Sequence, residues 1–253
     1  MKYLISLFII ALFFNGCVST KAPVTGRNQV ILVSEQETLT TGLQSYKKFL
    51  SESKISNNIQ ATKMIKKIGQ KIALASDKKD FKWEFNLVEN EAINAFCLPG
   101  GKVVVYTGIL KVAKNEDQLA TVMSHEIAHA LARHGAERMS HNMISNGIFT
   151  IGNIIVKSKA PQYTSAFKQA YGLGSKFGFM LPYSREHEYE ADEIGIHLMY
   201  KAGYNIDEAL KFWQNMQKQS KSTQPEFMST HPHTENRIKN ISKIIGVIHG
   251  KQL

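Results

Sequence analysis

Cysteine is scarce in this sequence, with only Cys17 and Cys97 among its 253 residues. Two cysteines are too few for the disulfide framework that holds many small secreted domains together. Glycine is limited to 17 residues, and no heptad pattern or internal repeat persists along the chain. These absences exclude collagen-like, coiled-coil and helical-repeat folds. A hydrophobic content of 43% and a charged content of 21% are typical of an ordinary globular chain.

Acidic residues are also comparatively few, at 21 against 31 lysines and arginines, which gives a formal net charge of +10. The basic residues are scattered along the chain rather than gathered on one segment. Such scattering is typical of solvated helix surfaces, whereas nucleic-acid-binding proteins concentrate positive charge on one face. We therefore predict no nucleic-acid partner.

Long apolar runs are absent as well. A membrane-spanning helix needs about 20 apolar residues, and the two candidate runs, Tyr3–Phe14 and Ile144–Val156, are both shorter. The first run follows Lys2, and a basic residue before a short apolar run is typical of a secretory signal sequence. The segment Phe14-Asn15-Gly16-Cys17 then resembles a bacterial lipobox.

We predict a lipoprotein signal peptide over residues 1–16, lipidation of Cys17 and a tether over residues 17–33. An ordinary cleaved signal beside an incidental cysteine is the alternative. Val18, rather than an aspartate, follows Cys17, which favours a periplasmic protein anchored in the outer membrane of a Gram-negative bacterium. Cys97 would then have no intramolecular partner, and we interpret it as a small buried hydrophobic residue.

The remaining residues, 34–253, are predicted to form one domain. Ser34 followed by Glu37 is a capping-box signature, and strict alternation over Phe81–Leu87 predicts a half-buried strand. Runs of helices around a small sheet indicate a mostly helical α+β domain with three or four strands. The other predicted strands are Ala92–Leu98 and Lys102–Tyr106; the predicted helices are Ser34–Leu50, Asn58–Ala75, Asn115–His134, Ser184–Lys201, Asp207–Lys218 and Thr234–Ile248, and a glycine-rich region covers Asn142–Pro182.

The segment His125-Glu126-Ile127-Ala128-His129 carries the clearest chemical pattern. Two histidines four residues apart on a helix lie about 40° apart on one face, so both imidazoles can bind one tetrahedral zinc ion. Glu126 lies beside them, where its carboxylate can take a proton from water at the metal. The alternative, two structural histidines on a buried helix, is disfavoured because random placement would rarely produce this spacing. The pattern predicts one zinc ion per chain.

A catalytic zinc site also needs a third protein ligand. His134 is one candidate, but its spacing from His129 does not fit the long metzincin pattern, and we interpret it as ending the helix. Glu188 is the better candidate, because Glu188 and Asp192 share one face of a predicted helix. One carboxylate can bind the metal while the other orients a ligand histidine through its second nitrogen.

These residues belong to a set of motifs that covers nearly the whole mature chain. With this set, the chain resembles the HtpX and CAAX prenyl protease family of gluzincin zinc metallopeptidases (metallopeptidase family forty-eight). Within it, the chain resembles the periplasmic lipoprotein branch that includes BepA and LoiP. The resemblance implies a zincin-like fold and a zinc-dependent metalloendopeptidase. The motifs are Ala22–Arg27, Asn94–Gly101, the His125–His129 segment, Glu188–Asp192, His231-Pro232 and Arg237-Ile238.

The resemblance also implies roles for individual residues. His125, His129 and Glu188 would bind the zinc ion, Glu126 would be the general base, and Asp192 would be the carboxylate behind a ligand histidine. Asn94, Ala95 and Phe96 would form a sheet edge that pairs with extended substrate, and the alternative is a plain core strand. His231 would lie on a mobile loop that reaches the zinc ion, and the alternative is a surface loop histidine. Arg237 would make a contact nearby.

The expected function is hydrolysis of peptide bonds in misfolded or unassembled envelope proteins. These substrates, and the membrane that holds Cys17, are the expected partners. The alternative is a latent zinc-bearing chaperone or assembly factor for outer-membrane proteins, in which His231 closes the open position of the metal. The apolar segment Ile144–Val156 is interpreted as a lid over the cleft, because it contains glycines and lies between the ligand segments.

Overall fold

The computed structural model describes residues 19–22, 25–176, 181–220, 225–231 and 235–250. The predicted signal peptide and Cys17 lie outside these residues. The described part of the chain contains no helix that is long and apolar enough to cross a membrane. Its elements are β1 (Ser19–Lys21), β2 (Asn28–Val30), α1 (Glu35–Ser51), α2 (Ile59–Ala75), β3 (Glu84–Val88), β4 (Ala95–Leu98), β5 (Lys102–Tyr106), α3 (Glu116–Leu131), α4 (His134–Lys159), α5 (Thr164–Ser175), α6 (Leu181–Lys201), α7 (Glu208–Ser220), α8 (Glu226–Thr230) and α9 (Glu235–Ile248).

The main sheet has three strands in the order β3-β5-β4. β3 pairs parallel with β5, and β4 pairs antiparallel with β5 from the other side. Every residue of β5 is buried, as expected for a central strand of mostly β-branched residues. β3 begins at Glu84, later than the predicted Phe81, and the indole N–H of Trp83 donates to Lys78 O at 3.2 Å instead of facing a strand. Among the described strands, β4 is left at an edge of the sheet.

The first three helices begin where side chains accept hydrogen bonds from otherwise unpaired backbone N–H groups. Ser34 and Glu37 form the predicted capping box at the start of α1. Asn58 and Asn115 cap α2 and α3 in the same way, each through its side-chain oxygen. The predicted starts of these helices therefore lie within one residue of the observed ones.

Helix α3 passes through the core of the domain, and twelve of its 16 residues are buried. It packs against α2, β4, α6 and α7. The predicted mostly helical α+β fold with a small sheet is confirmed. The core includes Ile65, Ile68 and Ile72 of α2, Val103 and Val105 of β5, Leu119, Met123 and Ile127 of α3, and Ile194 of α6.

The end of α3 differs from the prediction. The helix stops at Leu131 rather than at His134, because Arg133 adopts a φ of 57°. This left-handed conformation interrupts the helical hydrogen bonds before Gly135 is reached. His134 is therefore at the beginning of α4 instead of at the end of α3, and its side chain is buried.

Most of the described residues of the glycine-rich region Asn142–Pro182 are helical. Gly152 lies at the contact between α4 and α5, where a Cβ atom would come within 2.6 Å of the Phe167 ring. Glycine thus permits close helix packing at this position. None of the residues Ile144–Val156 lines the cleft described below, and the lid over the cleft stays a prediction.

Of the predicted tether, residues 17–33, the part that the structure describes is folded onto the domain. Strands β1 and β2 pair antiparallel, and Gln29 of β2 is buried. The Gln29 side-chain amide donates to Ala132 O at 2.5 Å and to Glu137 Oε2 at 2.8 Å. This segment therefore supplies polar side chains to the interior, which an alternating or helical apolar pattern would not reveal.

Candidate active site

Helices α3 and α6 lie side by side and bring three of the predicted ligands together. His125 Nε2 lies 3.1 Å from His129 Nε2 and 3.3 Å from Glu188 Oε2. His129 Nε2 lies 3.4 Å from Glu188 Oε1. The helices can approach this closely because Gly195 of α6 faces α3, and a Cβ atom at Gly195 would lie 3.2 Å from the backbone nitrogen of His125.

The spacing of these atoms fits a tetrahedral metal ion. Zinc holds nitrogen and oxygen ligands at about 2.0–2.2 Å, which places the ligand atoms about 3.4 Å from one another. The observed separations of 3.1, 3.3 and 3.4 Å agree with this geometry. Two imidazoles and a carboxylate are also a donor set that zinc prefers. The residues present therefore fit a zinc ion held by His125, His129 and Glu188.

His125 is oriented by the carboxylate of Asp192. His125 Nδ1 lies 3.0 Å from Asp192 Oδ1, so a proton on Nδ1 leaves Nε2 unprotonated toward the metal position. Arg237 donates to Asp192 through Nε at 2.8 Å and Nη2 at 2.7 Å, and its Nη1 lies 2.9 Å from Glu188 Oε2. Burial raises the pKa of Asp192, but Arg237 outweighs that effect and the pKa is lowered overall. The buried guanidinium of Arg237 thus holds two carboxylates of the site.

His129 is oriented by a second histidine. His129 Nδ1 lies 2.8 Å from His134 Nδ1, and His134 Nε2 lies 2.9 Å from Glu190 Oε2. Burial lowers the pKa of His134 to about 4, so its ring is neutral at pH 7. Its single proton is required on Nε2 for donation to Glu190, so its Nδ1 accepts from His129 Nδ1. This order leaves the unprotonated Nε2 of His129 facing the metal position.

The carboxylate behind His134 is in turn bound by the N-terminal segment. Glu190 accepts a hydrogen bond from Arg27 Nε at 2.8 Å, and Arg27 also donates to Glu137 through Nη2 at 2.7 Å and Nη1 at 3.0 Å. Glu137 Oε2 lies 3.0 Å from His187 Nε2, and the His187 ring stacks on His134 with centroids 4.0 Å apart. Burial raises the pKa of Glu137 and Glu190, but these hydrogen bonds lower both to about 2.

Glu126 has the environment of a general base. It follows His125 on α3 and is buried, and its Oε1 has no hydrogen-bond partner within the described residues. His231 Nε2 lies 3.4 Å from that oxygen. Burial raises the pKa of Glu126 above the ordinary carboxyl value. A carboxylate with a raised pKa and an unpaired oxygen beside the metal position is suited to accept a proton from water.

His231, which follows α8, reaches the same site. Its Nδ1 lies 3.0 Å from Glu188 Oε1 and 3.4 Å from His125 Nε2, and its ring stacks on Phe227 with centroids 4.5 Å apart. One ligand atom from each of His125, His129, Glu188 and His231 lies within 4.8 Å of the others. The structure thus places the predicted loop histidine where a fourth ligand would lie.

A cleft of about 570 Å³ opens onto these residues. Ala95, Phe96 and Cys97 of the edge strand β4 line it, so Cys97 is partly exposed there rather than fully buried. Asn94 also lines the cleft; its side-chain amide donates to Glu226 Oε1 at 3.1 Å, and its side-chain oxygen accepts from Ala95 N at 2.9 Å. An edge strand beside a cleft can pair with an extended peptide through its outward backbone groups.

Comparison with known proteins identifies the family to which this site belongs. A model described as Peptidase family M48 matches residues 60–245. The chain belongs to peptidase family M48. As a member of this family it is a metalloendopeptidase, which confirms the enzyme class predicted from the histidines of α3. The branch of the family predicted above, that of the periplasmic lipoproteins, stays a prediction.

Individual relatives of this M48 peptidase come from organelles and from bacteria. The mitochondrial metalloendopeptidase OMA1 of Saccharomyces cerevisiae is 34% identical over 92% of this chain and 73% of its own length. The human mitochondrial metalloendopeptidase OMA1 is 30% identical over 94% of this chain and 48% of its own length. The β-barrel assembly-enhancing protease of Escherichia coli K12 is 30% identical over 72% of this chain and 38% of its own length. The chain thus spans about half or less of the last two relatives.

Sequence reasoning missed the residues that orient His129. The sequence pattern places His134 at a helix end, and it gives Glu190 and Arg27 no role of their own. A local sequence pattern could not reveal these contacts. Glu190 and Arg27 are 163 residues apart, and neither lies at a helical spacing from His129, the ligand that they support. Arg237, to which the resemblance gives an undefined contact, contacts both Glu188 and Asp192.

Proposed function

We propose that this M48 peptidase is a zinc-dependent endopeptidase of the bacterial cell envelope that cleaves misfolded or unassembled envelope proteins. The observation that carries the catalytic part is the convergence of His125, His129 and Glu188 beside the unpaired oxygen of Glu126. Three protein ligands with an adjacent base are the usual composition of a hydrolytic zinc site. Each chain would bind one zinc ion.

In this proposal, a bound zinc ion supplies the Lewis acid that lowers the pKa of water and polarises the scissile carbonyl group. Glu126 accepts the proton of the attacking water through Oε1 and then passes it to the leaving amine nitrogen. Asp192 and His134 keep the ring protons of His125 and His129 on the far side of each imidazole. His231 Nε2, 3.4 Å from Glu126 Oε1, is placed to donate a hydrogen bond to the carbonyl oxygen as it gains charge.

We propose that the substrate enters as an extended chain beside β4. The free side of this edge strand faces the cleft that contains Glu126 and His129. Backbone pairing with the Ala95 carbonyl group and with Cys97 would fix the direction of the substrate without specifying its sequence. An extended segment is found in unfolded or unassembled proteins, and this favours them as the substrate class.

The proposed location rests on sequence features outside the described residues. The short apolar run and the segment Phe14–Cys17 support export and lipidation, and hence a periplasmic protein held at the outer membrane. The similarity to the β-barrel assembly-enhancing protease of Escherichia coli K12 supports envelope proteins as partners. Metabolic labelling with a radioactive fatty acid, beside Cys17→Ser, tests this proposal. Labelling of both proteins, or of neither, would overturn it.

The catalytic proposal is tested by cleavage of an unfolded protein such as casein, with zinc, with a chelator, and beside Glu126→Gln. Removal of a general base lowers the rate by about 10²–10⁴-fold. We expect chelator-sensitive cleavage that Glu126→Gln loses while it still binds one zinc ion. Glu186→Gln, an exposed glutamate of α6, is the matched control and should keep full activity. Loss of zinc from Glu126→Gln would show that Glu126 has a structural role instead.

A second candidate function is a latent zinc-bearing chaperone or assembly factor for outer-membrane proteins. The observation that favours it is the position of His231, whose Nδ1 lies close to both His125 and Glu188. A fourth protein ligand would close the position that substrate or water needs. If the resting protein is latent, His231→Ala should gain cleavage. Loss of cleavage in the same variant would instead assign His231 to the reaction.

A further inference from the structure

The helical hairpin formed by α4 beyond His141 and by α5, residues 142–176, has almost no core of its own. None of the twelve residues of α5 is buried, and the last buried residue of α4 is His141. The two helices contact each other mainly through aromatic rings, with Phe149 stacked on Phe167 at 6.0 Å between centroids. Most of the surface of this hairpin is therefore exposed and available for contact with a partner outside the domain.

One side of α4 carries an exposed aliphatic stripe. The residues at the contact with α5, such as Phe149 and Gly152, define the inner side of the helix. At 100° per residue, the stripe lies about a third of a turn away from that contact, and Asn146 and Thr150 lie on the opposite flank. Its members are Ile148, Ile151, Ile154 and Ile155, with exposed fractions of 56%, 62%, 61% and 55%.

The charge of this part of the chain has a single sign. No aspartate or glutamate occurs between Arg138 and Arg185. The hairpin carries Lys157 and Lys159 at the end of α4, Lys168 on α5 and Lys176 directly after α5, all exposed. Lys159 follows Ile155 by one helical turn on the same face. Tyr163, at the turn between the helices, is exposed as well.

We propose that the hairpin 142–176 is a membrane-binding element that lies in the headgroup region of an anionic lipid bilayer. An amphipathic helix with an aliphatic stripe, nearby lysines and no acidic residue has the composition of an interfacial helix. The isoleucines would enter the acyl boundary, and the lysine ammonium groups would reach the phosphates. This inference does not depend on the proposed peptidase reaction or on lipidation of Cys17.

The charges favour a bilayer over a second copy of this chain. Two hairpins packed through their isoleucine stripes would bring the lysines of both copies together, and no acidic side chain in the hairpin could pair with them. A lipid phosphate surface supplies the missing negative charge and the apolar phase at once. The hairpin begins at the cleft, which His134, Arg138 and His141 of α4 help to line. Docking of the hairpin would therefore hold the cleft close to the membrane surface.

The test is vesicle co-sedimentation of the full chain in a Cys17→Ser background, which removes the site of lipidation. Vesicles of phosphatidylcholine alone are compared with vesicles that also contain phosphatidylglycerol. We expect Ile151→Ser/Ile154→Ser to weaken binding by about tenfold or more. Lys157→Gln/Lys159→Gln should weaken it by about fivefold for each lysine, and only on the anionic vesicles. The matched control is Ile59→Ser/Leu74→Ser, which replaces residues that are 68% and 85% exposed elsewhere on the domain.

A second measurement locates the contact directly. Ile151→Trp places a fluorophore on the stripe, and lipids brominated on the acyl chain should quench it, whereas Ile59→Trp should not be quenched. Unchanged circular dichroism and thermal unfolding verify that the variants are folded. The proposal would be overturned if Ile151→Ser/Ile154→Ser bound vesicles as well as the control Ile59→Ser/Leu74→Ser. It would also be overturned if the tryptophan at position 151 were not quenched. A protein dimer that Ile151→Ser/Ile154→Ser dissolves would also overturn it, in favour of self-association.

Discussion

The metal site and the hairpin are joined by the first two turns of α4, His134–His141, but they are held in place in different ways. In α3, most side chains are buried, and each histidine that faces the metal position has a hydrogen-bonded group behind it. In α5 no residue is buried, and the four isoleucines of the α4 stripe are more than half exposed. The first region is fixed by many mutually dependent contacts, and the second by helix formation and a few ring contacts. Substitutions should therefore have large, coupled effects in one region and small, local effects in the other.

The largest expected effect is the loss of Arg237. Arg237→Leu leaves the buried carboxylates of Asp192 and Glu188 without their common counter-charge, which should lower the free energy of unfolding by about 3–5 kcal/mol. Urea denaturation of the metal-free protein measures this. Lys67→Leu, which breaks the exposed pair with Glu116 at 2.8 Å, is the control and should cost about 1 kcal/mol or less. Similar losses in both variants would contradict this picture of the site.

The contrast between the regions is tested with one residue type. Leu119 of α3 is fully buried, whereas Leu173 of α5 is mostly exposed. Leu119→Ala should lower the free energy of unfolding by about 2–5 kcal/mol, because it leaves a cavity in the core. Leu173→Ala should change it by about 0.5 kcal/mol or less. Chemical denaturation of both variants checks this, and a large loss from Leu173→Ala would show that the hairpin is part of the cooperative core.

The support for His129 is tested at Glu190. Glu190→Gln weakens the acceptor that fixes the ring proton of His134, and through it the orientation of His129. Loss of such an outer partner lowers metal affinity by about 10–100-fold. Competition with a zinc chelator measures the affinity, and Glu186→Gln on the exposed face of α6 is the control. Unchanged affinity in Glu190→Gln would show that packing alone orients His129.

Zinc affinity should also depend on pH. In the metal-free protein, burial lowers the pKa of His125, but the carboxylates of Asp192 and Glu188 outweigh it and bring the pKa to about 9. Below this pH the metal-free ring carries a proton on both nitrogens, and zinc must displace the proton on Nε2. The affinity should therefore rise about tenfold for each pH unit between pH 7 and pH 8, with release of about one proton. Chelator competition at the two values tests this, and equal affinities would show that His125 is already neutral at pH 7.

The smallest effects are expected within the hairpin. Gly147 of α4 has open space where a Cβ atom would lie, with nothing within 4 Å, so Gly147→Ala should stabilise the helix by about 0.5–1 kcal/mol. Gly152→Ala should loosen the hairpin instead, because its Cβ would meet the Phe167 ring. Amide hydrogen exchange of α4 and α5 reads these local changes. Slower exchange in both variants would show that Gly152 does not set the contact between the helices.

The parts of the molecule that could be predicted from the sequence are those governed by local patterns. Capping residues mark the starts of α1, α2 and α3, and the spacing of His125 and His129 places both on one helix face. Arg133 interrupts α3 without glycine or proline to mark the position, so the start of α4 at His134 was not predictable. Glycines in the hairpin suggest flexibility, whereas Gly152 serves close packing between two helices.

The remaining part of the site depends on contacts that are distant along the chain. Arg27 reaches Glu190 across 163 residues, and Asp192 reaches Arg237 across 45. The resemblance to zinc peptidases indicates which segments come together, but the atoms that meet are set by helix packing. His231 is an intermediate case, because its role is suggested by resemblance and its distance to the ligands comes only from the structure.

The long separation between Arg27 and Glu190 has a consequence for the making of this protein. The centre needs side chains from the segment before β2, from α3, from α6 and from α9, which emerge in that order during synthesis. A nascent chain that ends before α6 and α9 lacks Glu188, Asp192 and Arg237. Such a chain has no complete proteolytic centre, whatever the supply of metal. The order of synthesis thus leaves the site incomplete until α9 has been made.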